Sequence, residues 1–134
     1  MKLNVLIVDD DKMITLLHKV IVVKYKICAN PPLLFGDGKM ALEFLLSEYN
    51  SNENYLILLD INMPVLNGWE FLESVQPERF ANNLFVIIVT SSVDSSDKQK
   101  AKTYPQVIGF LEKPLRAESC DFIKTIPAIA PFFY

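Results

Sequence analysis

The sequence predicts an α/β fold, a doubly wound sheet of five parallel strands with helices on both faces, and three observations carry that reading. Apolar runs recur at 3–8, 55–60, 85–89 and 107–111 without polar alternation, as strands do when both faces of a sheet are covered. Between them lie stretches with apolar residues at helical spacing, so strand and helix alternate along the chain. Four of the five strands stop in chemically capable side chains: Asp9-Asp10, Asp60, Thr90 and Lys113. With right-handed crossovers the C-terminal ends of all strands share one edge, where open sheets of this kind bind ligands.

The elements follow in order. Residues 3–8 form the first strand and run into Asp9-Asp10-Asp11. Asp11 stands where it caps a helix over 12–25, in which Ile14, Leu17, Val20 and Ile21 make one apolar stripe. A short second strand falls within Pro32–Phe35, and Pro31-Pro32, which cannot donate to a ladder, assigns it to an edge. Gly36-Asp37-Gly38 turns into a helix over 39–49 carrying Met40, Ala41, Phe44 and Leu45. The polar loop Ser51-Asn52-Glu53-Asn54 leads to the third strand, 55–60. Trp69, Leu72 and Val75 mark a third helix that stops near Pro77. The fourth strand, 85–89, ends in Thr90-Ser91-Ser92, and a polar helix over about 95–103 follows. The fifth strand, 107–111, ends in Glu112-Lys113-Pro114 and leads to a last helix over about 116–125. Residues 1–126 read as one domain and 127–134, with Pro127, Pro131 and Phe132-Phe133-Tyr134, as an apolar tail that packs back on the body or binds a partner.

Bulk properties narrow the function. A chain of 134 residues suits one core, burying roughly two-thirds of its unfolded surface. A net charge of -3 and a pI near 5.1 argue against direct DNA binding, which needs a basic face to neutralise phosphates. Cys28 and Cys120 lack metal-type spacing and read as free thiols of a reducing cytoplasm, a single bridge between them being the alternative. Met1-Lys2 opens no signal peptide, and no apolar run reaches the length of a membrane span.

The strand ends hold the chemistry. Asp60 closes the run Leu56-Ile57-Leu58-Leu59 just before the chain breaks at Ile61-Asn62-Met63-Pro64 and Gly68. A carboxylate there is costly unless something uses it. Asp9, Asp10 and Asp60 repel one another, each close pair by about 1–4 kcal/mol. A hard divalent ion, Mg²⁺ or Mn²⁺, relieves that repulsion best. Lys113 adds a positive charge and Thr90 a donor, a set that suits phosphoryl transfer through a carboxylate nucleophile.

These residues resemble the receiver domain of two-component response regulators. The likeness lies in Val8-Asp9-Asp10, in Leu59-Asp60-Ile61-Asn62-Met63-Pro64 with Gly68, in Val89-Thr90-Ser91 and in Phe110-Leu111-Glu112-Lys113-Pro114, and spans about residues 3–125. The resemblance implies a flavodoxin-like strand order, 2-1-3-4-5. It implies that Asp60 accepts a phosphoryl group from a phosphohistidine on a sensor histidine kinase or a histidine phosphotransfer protein. Asp10, Asp60 and the backbone carbonyl of Asn62 would hold the metal, with Asp9 acting through a metal-bound water. Lys113 would pair with Asp60 and then with the phosphoryl oxygen. Thr90 and Phe110 would form the switch, remodelling the face of helix 4, strand 5 and helix 5 for a downstream protein that the sequence does not identify.

The chain also departs from that pattern. Tyr104-Pro105-Gln106 replaces the small Gly-Ala pair usual before the fifth strand, which predicts an altered end to helix 4. Ser91 replaces the common alanine after the switch hydroxyl, and Asn62 and Ser92 occupy the positions that tune phosphate lifetime. His18, the lone histidine, reads as a surface or partly buried residue and not a phosphodonor, and Met63 and Trp69 as core or loop anchors. The leading expectation is a stand-alone receiver that catalyses only its own phosphorylation and dephosphorylation. An intermediate phosphorelay carrier, a fragment of a longer regulator, a Mg²⁺-dependent aspartyl phosphohydrolase and a degenerate docking module are the rivals. Asn62, where the phosphohydrolase needs a second acid, argues against that enzyme.

Overall fold

The computed structural model describes residues 3–76, 80, 83–91 and 94–133, and within them every apolar run of the sequence becomes a strand. The order along the chain is β1 (Leu3–Val8), α1 (Lys12–Lys24), β2 (Leu33–Phe35), α2 (Gly38–Glu48), β3 (Asn54–Leu59), α3 (Gly68–Ser74), β4 (Leu84–Thr90), α4 (Ser95–Ala101), β5 (Val107–Glu112) and α5 (Ala117–Thr125), with a final 3-10 turn at Ala130–Phe132. Pro77, Ser92, Met1-Lys2 and Tyr134, which entered the sequence reading, lie outside the described residues. All strand pairs are parallel and the sheet runs β2-β1-β3-β4-β5, the expected doubly wound order.

Side-chain alternation divides the interior in two. Val8, Ile57, Leu59, Val86 and Ile88 face α2, α3 and α4, where Ala41, Leu45, Phe71 and Leu72 cover them. Val5, Ile7, Leu58, Ile87 and Val89 face α1 and α5, covered by Val22, Cys120 and Ile123. Ile129, fully buried, and Phe132 of the apolar tail join this second layer, the Phe132 ring lying 6.4 Å from Phe85. Both cysteines are free, Cys120 buried and Cys28 partly so, and burial pushes the Cys120 thiol up to about 11.

Helix starts follow the polar residues in the sequence. Asp11 accepts from the Met13 and Ile14 amides, Asp37 from Met40, and Asn67 with Glu70 forms a reciprocal capping box on α3. β2 falls where expected, three residues at the sheet edge, starting just after Pro31-Pro32, which have no donors for a ladder.

Helix α1 corrects the sequence reading. Its buried positions are Thr15, His18 and Val22, while Leu17 and Val20 of the expected stripe are exposed together with Met13, Leu16 and Val23. His18 is likewise not a surface residue, being only 2% exposed. The two polar residues can be buried because each has a partner: the Thr15 hydroxyl donates to the Lys12 carbonyl at 2.9 Å, and His18 accepts a backbone hydrogen bond from across the fold.

The unusual stretch before β5 joins helices. The Tyr104 hydroxyl donates to Glu73 Oε1 at 2.8 Å and its ring stacks on Trp69, over which Lys100 Nζ sits at 4.6 Å from the centroid. The Gln106 amide donates to the carbonyls of Leu72 at 3.1 Å and Val75 at 3.3 Å, closing the C-terminal end of α3. α4 accordingly ends at Ala101, short of the expected 103. Pairing between β4 and β5 then shifts by one residue: Val86 opposes Val107 and Ile87 opposes Gly109, so Ile108 is an extra, bulged residue.

Candidate functional site

Three residues of the acid pocket are placed by the ladder one step beyond their strands. The Asp9 amide donates to the Phe35 carbonyl at 3.1 Å, the Asp60 amide to Val8 at 3.0 Å, and the Lys113 amide to Thr90 at 2.9 Å. Sheet register therefore holds the backbones of Asp9, Asp60 and Lys113 before any side-chain contact forms. Thr90, the last residue of β4, is fully buried in the same row.

The side chains then converge. Lys113 Nζ donates to Asp9 Oδ2 at 2.8 Å and to Asp60 Oδ2 at 3.2 Å. The second oxygen of each acid is held by its own loop, Asp9 Oδ1 accepting from the Asp11 amide at 2.9 Å and Asp60 Oδ1 from the Asn62 amide at 3.3 Å. Asp9 and Asp60 are buried, whereas Asp10 is exposed at the rim. One carboxylate oxygen from each of Asp9, Asp10 and Asp60 lies within 4.8 Å of the others.

The electrostatics reflect crowding of like charge. Burial, then the neighbouring Asp9 charge, holds the Asp60 carboxyl above its ordinary value, against the opposing pull of Lys113. For Lys113 burial acts downward, but its hydrogen bond to Asp9 and the charges of Asp60 and Asp9 outweigh it, so its ammonium is held above its ordinary value. One lysine between two buried carboxylates leaves a net negative site, and an all-oxygen donor set of this size suits a hard cation such as Mg²⁺ or Mn²⁺.

The loop after Asp60 is wound tightly against it. The Gly68 amide donates to the Ile61 carbonyl at 2.9 Å, and a Cβ on Gly68 would lie 2.7 Å from both the Asp60 carbonyl oxygen and Ile61 Cα. Only glycine fits there. Val65 takes a φ of 71° in the same loop, the left-handed region that β-branched residues avoid. Met63 is buried and Trp69 half-buried, both against the α2–α4 layer.

The sheet thus brings Asp9, Asp10, Asp60, Thr90 and Lys113 to one edge, with Asn62 beside Asp60. Phe110 stands on β5 three residues before Lys113 and opposite Ile88, half-buried on the α4 side, with Lys98 Nζ 6.0 Å from its ring centroid. His18 was missed as a neighbour of this site. Its Nε2 accepts from the Leu115 amide at 3.1 Å, in the loop that carries Lys113. A polar residue at a helical position facing the sheet was the available signal, and the apolar residues all around α1 hid it.

Comparison with known proteins adds the wider context. Residues 5–121 match the family model of the response regulator receiver domain. The chain is 26% identical over 92 residues to the Helicobacter pylori chemotaxis protein CheV2, covering 69% of this chain and 29% of that protein. It is 27% identical over 99 residues to the probable methanogenesis regulatory protein FilR2 of Methanothrix harundinacea, covering 72% of this chain and 62% of that one. The chain thus spans less than two-thirds of the length of both relatives. A two-component response regulator from Cytophaga hutchinsonii superposes with a TM-score of 0.75 at 28% identity, over 92% of this chain and 95% of that chain.

Proposed function

The chain belongs to the response regulator receiver domain family, and on that premise we propose that Asp60 accepts a phosphoryl group from a protein phosphohistidine and that the added charge switches a protein-binding surface. The observation that carries this is the Lys113 ammonium shared between Asp9 at 2.8 Å and Asp60 at 3.2 Å. It favours the ionised form of Asp60 against burial and Asp9, orients it, and sets it beside a cation that can follow the phosphoryl oxygen. A carboxylate oxygen of Asp60 forms a bond to phosphorus as the donor's P–N bond breaks, and the departing imidazole takes up a proton. Lys113 neutralises one phosphoryl oxygen, and the Thr90 hydroxyl donates to another.

Asp10, Asp60 and the Asn62 carbonyl are the groups that would hold Mg²⁺ or Mn²⁺, with Asp9 acting through a water. When bound, the cation withdraws charge from the phosphoryl oxygens. Thr90 and Phe110 form the switch, through which a change at Asp60 reaches the face of α4, β5 and α5. Receiver domains of this kind interact with histidine kinases or phosphotransfer proteins and are generally signalling modules without a reaction of their own to turn over. Exposed Met13, Leu16, Leu17 and Val20 on α1, the helix that starts at the acid pocket, support a protein donor over a small molecule.

The test is incubation of the whole chain with Mg²⁺ and acetyl phosphate, followed by phosphate-affinity electrophoresis. Wild type is expected to shift and Asp60→Asn not to. Equal phosphate uptake by Asp60→Asn would remove Asp60 from the role.

A further inference from the structure

Lys113 must reach two carboxylates from a loop, and that loop is itself held from outside. The segment Lys113-Pro114-Leu115 is fixed by two backbone hydrogen bonds, one on either side of Pro114. The Lys113 amide donates to the Thr90 carbonyl at 2.9 Å, and the Leu115 amide donates to His18 Nε2 at 3.1 Å. The first bond is sheet ladder and would form with any residue at position 90. The second depends on one side chain, buried in α1 and 97 residues away in sequence.

His18 is suited to the task. Its ring is 2% exposed, and burial lowers its pKa to about 4, the nearby Lys113 charge adding to that and the Asp9 charge opposing it, so the ring is neutral. A neutral imidazole with an accepting Nε2 carries its proton on Nδ1. The helix that supplies the ring starts at the acid pocket: Asp11 caps α1, and its amide donates to Asp9 Oδ1 at 2.9 Å. α1 therefore touches Asp9 at its first turn and the Lys113 loop at its second, tying the carboxylate and its ammonium to one rigid element.

We propose that His18 is a positioning residue for phosphoryl transfer, holding the Leu115 amide so that Lys113 is aimed at Asp60 and at the phosphoryl oxygen that replaces it as partner. The inference rests on the assignment of Asp60 as acceptor, and it adds a residue that touches neither phosphate nor metal. An acceptor at the Nε2 position is what matters, so His18→Gln, whose Oε1 reaches a similar distance, supplies it. His18→Leu and His18→Asn fill much of the space without an acceptor there.

The experiment measures the rate of phosphorylation by acetyl phosphate and, separately, Mg²⁺ affinity by calorimetry, for wild type, D60N, K113A, H18L, H18N, H18Q and the double variant H18L/K113A. H18L and H18N are expected to react about tenfold more slowly, equivalent to ~1.4 kcal/mol at the transition state, with Mg²⁺ affinity within about twofold of wild type because the carboxylates are intact. H18Q is expected to recover most of the rate. In the K113A background H18L should cause no further loss, since its effect passes through the lysine. A general loosening of the fold would instead weaken Mg²⁺ binding in step with the rate and slow K113A again. If H18L does not fold by circular dichroism, H18N against H18Q carries the comparison. Rates of H18L and H18N within twofold of wild type, an H18Q as slow as H18N, or additive losses in the double variant overturn the proposal while leaving Asp60 in place. A wild type that takes up no phosphate overturns both.

Discussion

Replacing Lys113 by methionine tests the charge arrangement directly. Its ammonium lies 2.8 Å from Asp9 and 3.2 Å from Asp60, with 13% of the lysine side chain and 4% of each carboxylate side chain exposed. At an effective dielectric of about 20 the two attractions are worth roughly 6 and 5 kcal/mol before any cost is counted. Desolvating the ammonium removes several kcal/mol of that. The repulsion of the two acids, whose oxygens lie within 4.8 Å of each other, is the same before and after substitution, so the loss is the lysine's attraction less its desolvation, reduced further where an acid takes up a proton. A net loss of about 3 kcal/mol, the low end for removing one partner of a buried pair, is expected for K113M at pH 7 without divalent cations. For 134 residues that lowers the melting temperature by about 10 °C. The pH dependence has a definite sign. The Asp60 carboxyl already titrates above its ordinary 3.8 through burial and Asp9, and removing Lys113 takes away the main opposing influence. An acid raised in the folded state contributes stability that is full below its unfolded value and lost as pH rises through its folded value. The K113M deficit should thus be largest at neutral pH and narrow as pH falls toward 4. Millimolar Mg²⁺ should narrow it too, by supplying the missing positive charge. Urea unfolding in EDTA and in Mg²⁺, at both pH values, measures all three effects. A variant within 0.5 kcal/mol (on the order of a surface substitution) of wild type in EDTA at pH 7 would refute the reasoning, as would a deficit that acid and Mg²⁺ leave unchanged.

Three further outcomes follow from packing and burial. G68A puts a methyl 2.7 Å from the Asp60 carbonyl oxygen and Ile61 Cα; it should cost about 1–3 kcal/mol in urea unfolding and reduce acetyl phosphate labelling in protein that is still folded, because the backbone that must yield carries Asp60. His18, lowered from 6.5 to about 4 chiefly by burial, stays neutral in the fold while the unfolded chain takes up a proton. Stability should then fall by about 3 kcal/mol between pH 6.5 and 4 and not do so in H18Q; NMR of the lone histidine ring checks it, and a titration near 6.5 would contradict it. I129A empties a fully buried position in the tail, and a loss of about 3 kcal/mol by chemical denaturation is expected.

The strands were legible because two-sided burial leaves a simple signature. The first was read as 3–8 and is Leu3–Val8, and the third, read as 55–60, is Asn54–Leu59. The site was legible for a related reason: acids ending apolar runs are costly, and a parallel sheet gathers strand ends on one edge. Helix faces were harder. In α1, Ile14, Leu16, Leu17, Val20, Ile21, Val22 and Val23 surround the axis, so periodicity could not say which side meets the sheet. The answer turned on partners that sequence does not display, the Leu115 amide for His18 and the Lys12 carbonyl for Thr15. Gly68 was visible as a residue but its closeness to the Asp60 backbone was not, since a forbidden Cβ becomes apparent only when the loop has closed.

The bulge at Ile108 has a consequence for what the molecule tolerates. Counting in twos from Val107 would put Gly109 and Leu111 toward α4 and Phe110 toward α5. Because Ile108 and Gly109 both face the α5 layer, the parity reverses, and Phe110 lies beside Ile88 on the α4 side. From Gly109 onward the phase of the chain is set by β4 alone, through Ile87, Ile88, Val89 and Thr90. The bulge works as a slack joint: the segment upstream, where Tyr104-Pro105-Gln106 ties α3 to β5, can change its length or path without advancing Lys113 by a step. The acid-pocket edge and the connection to α3 are thereby uncoupled in register within one strand.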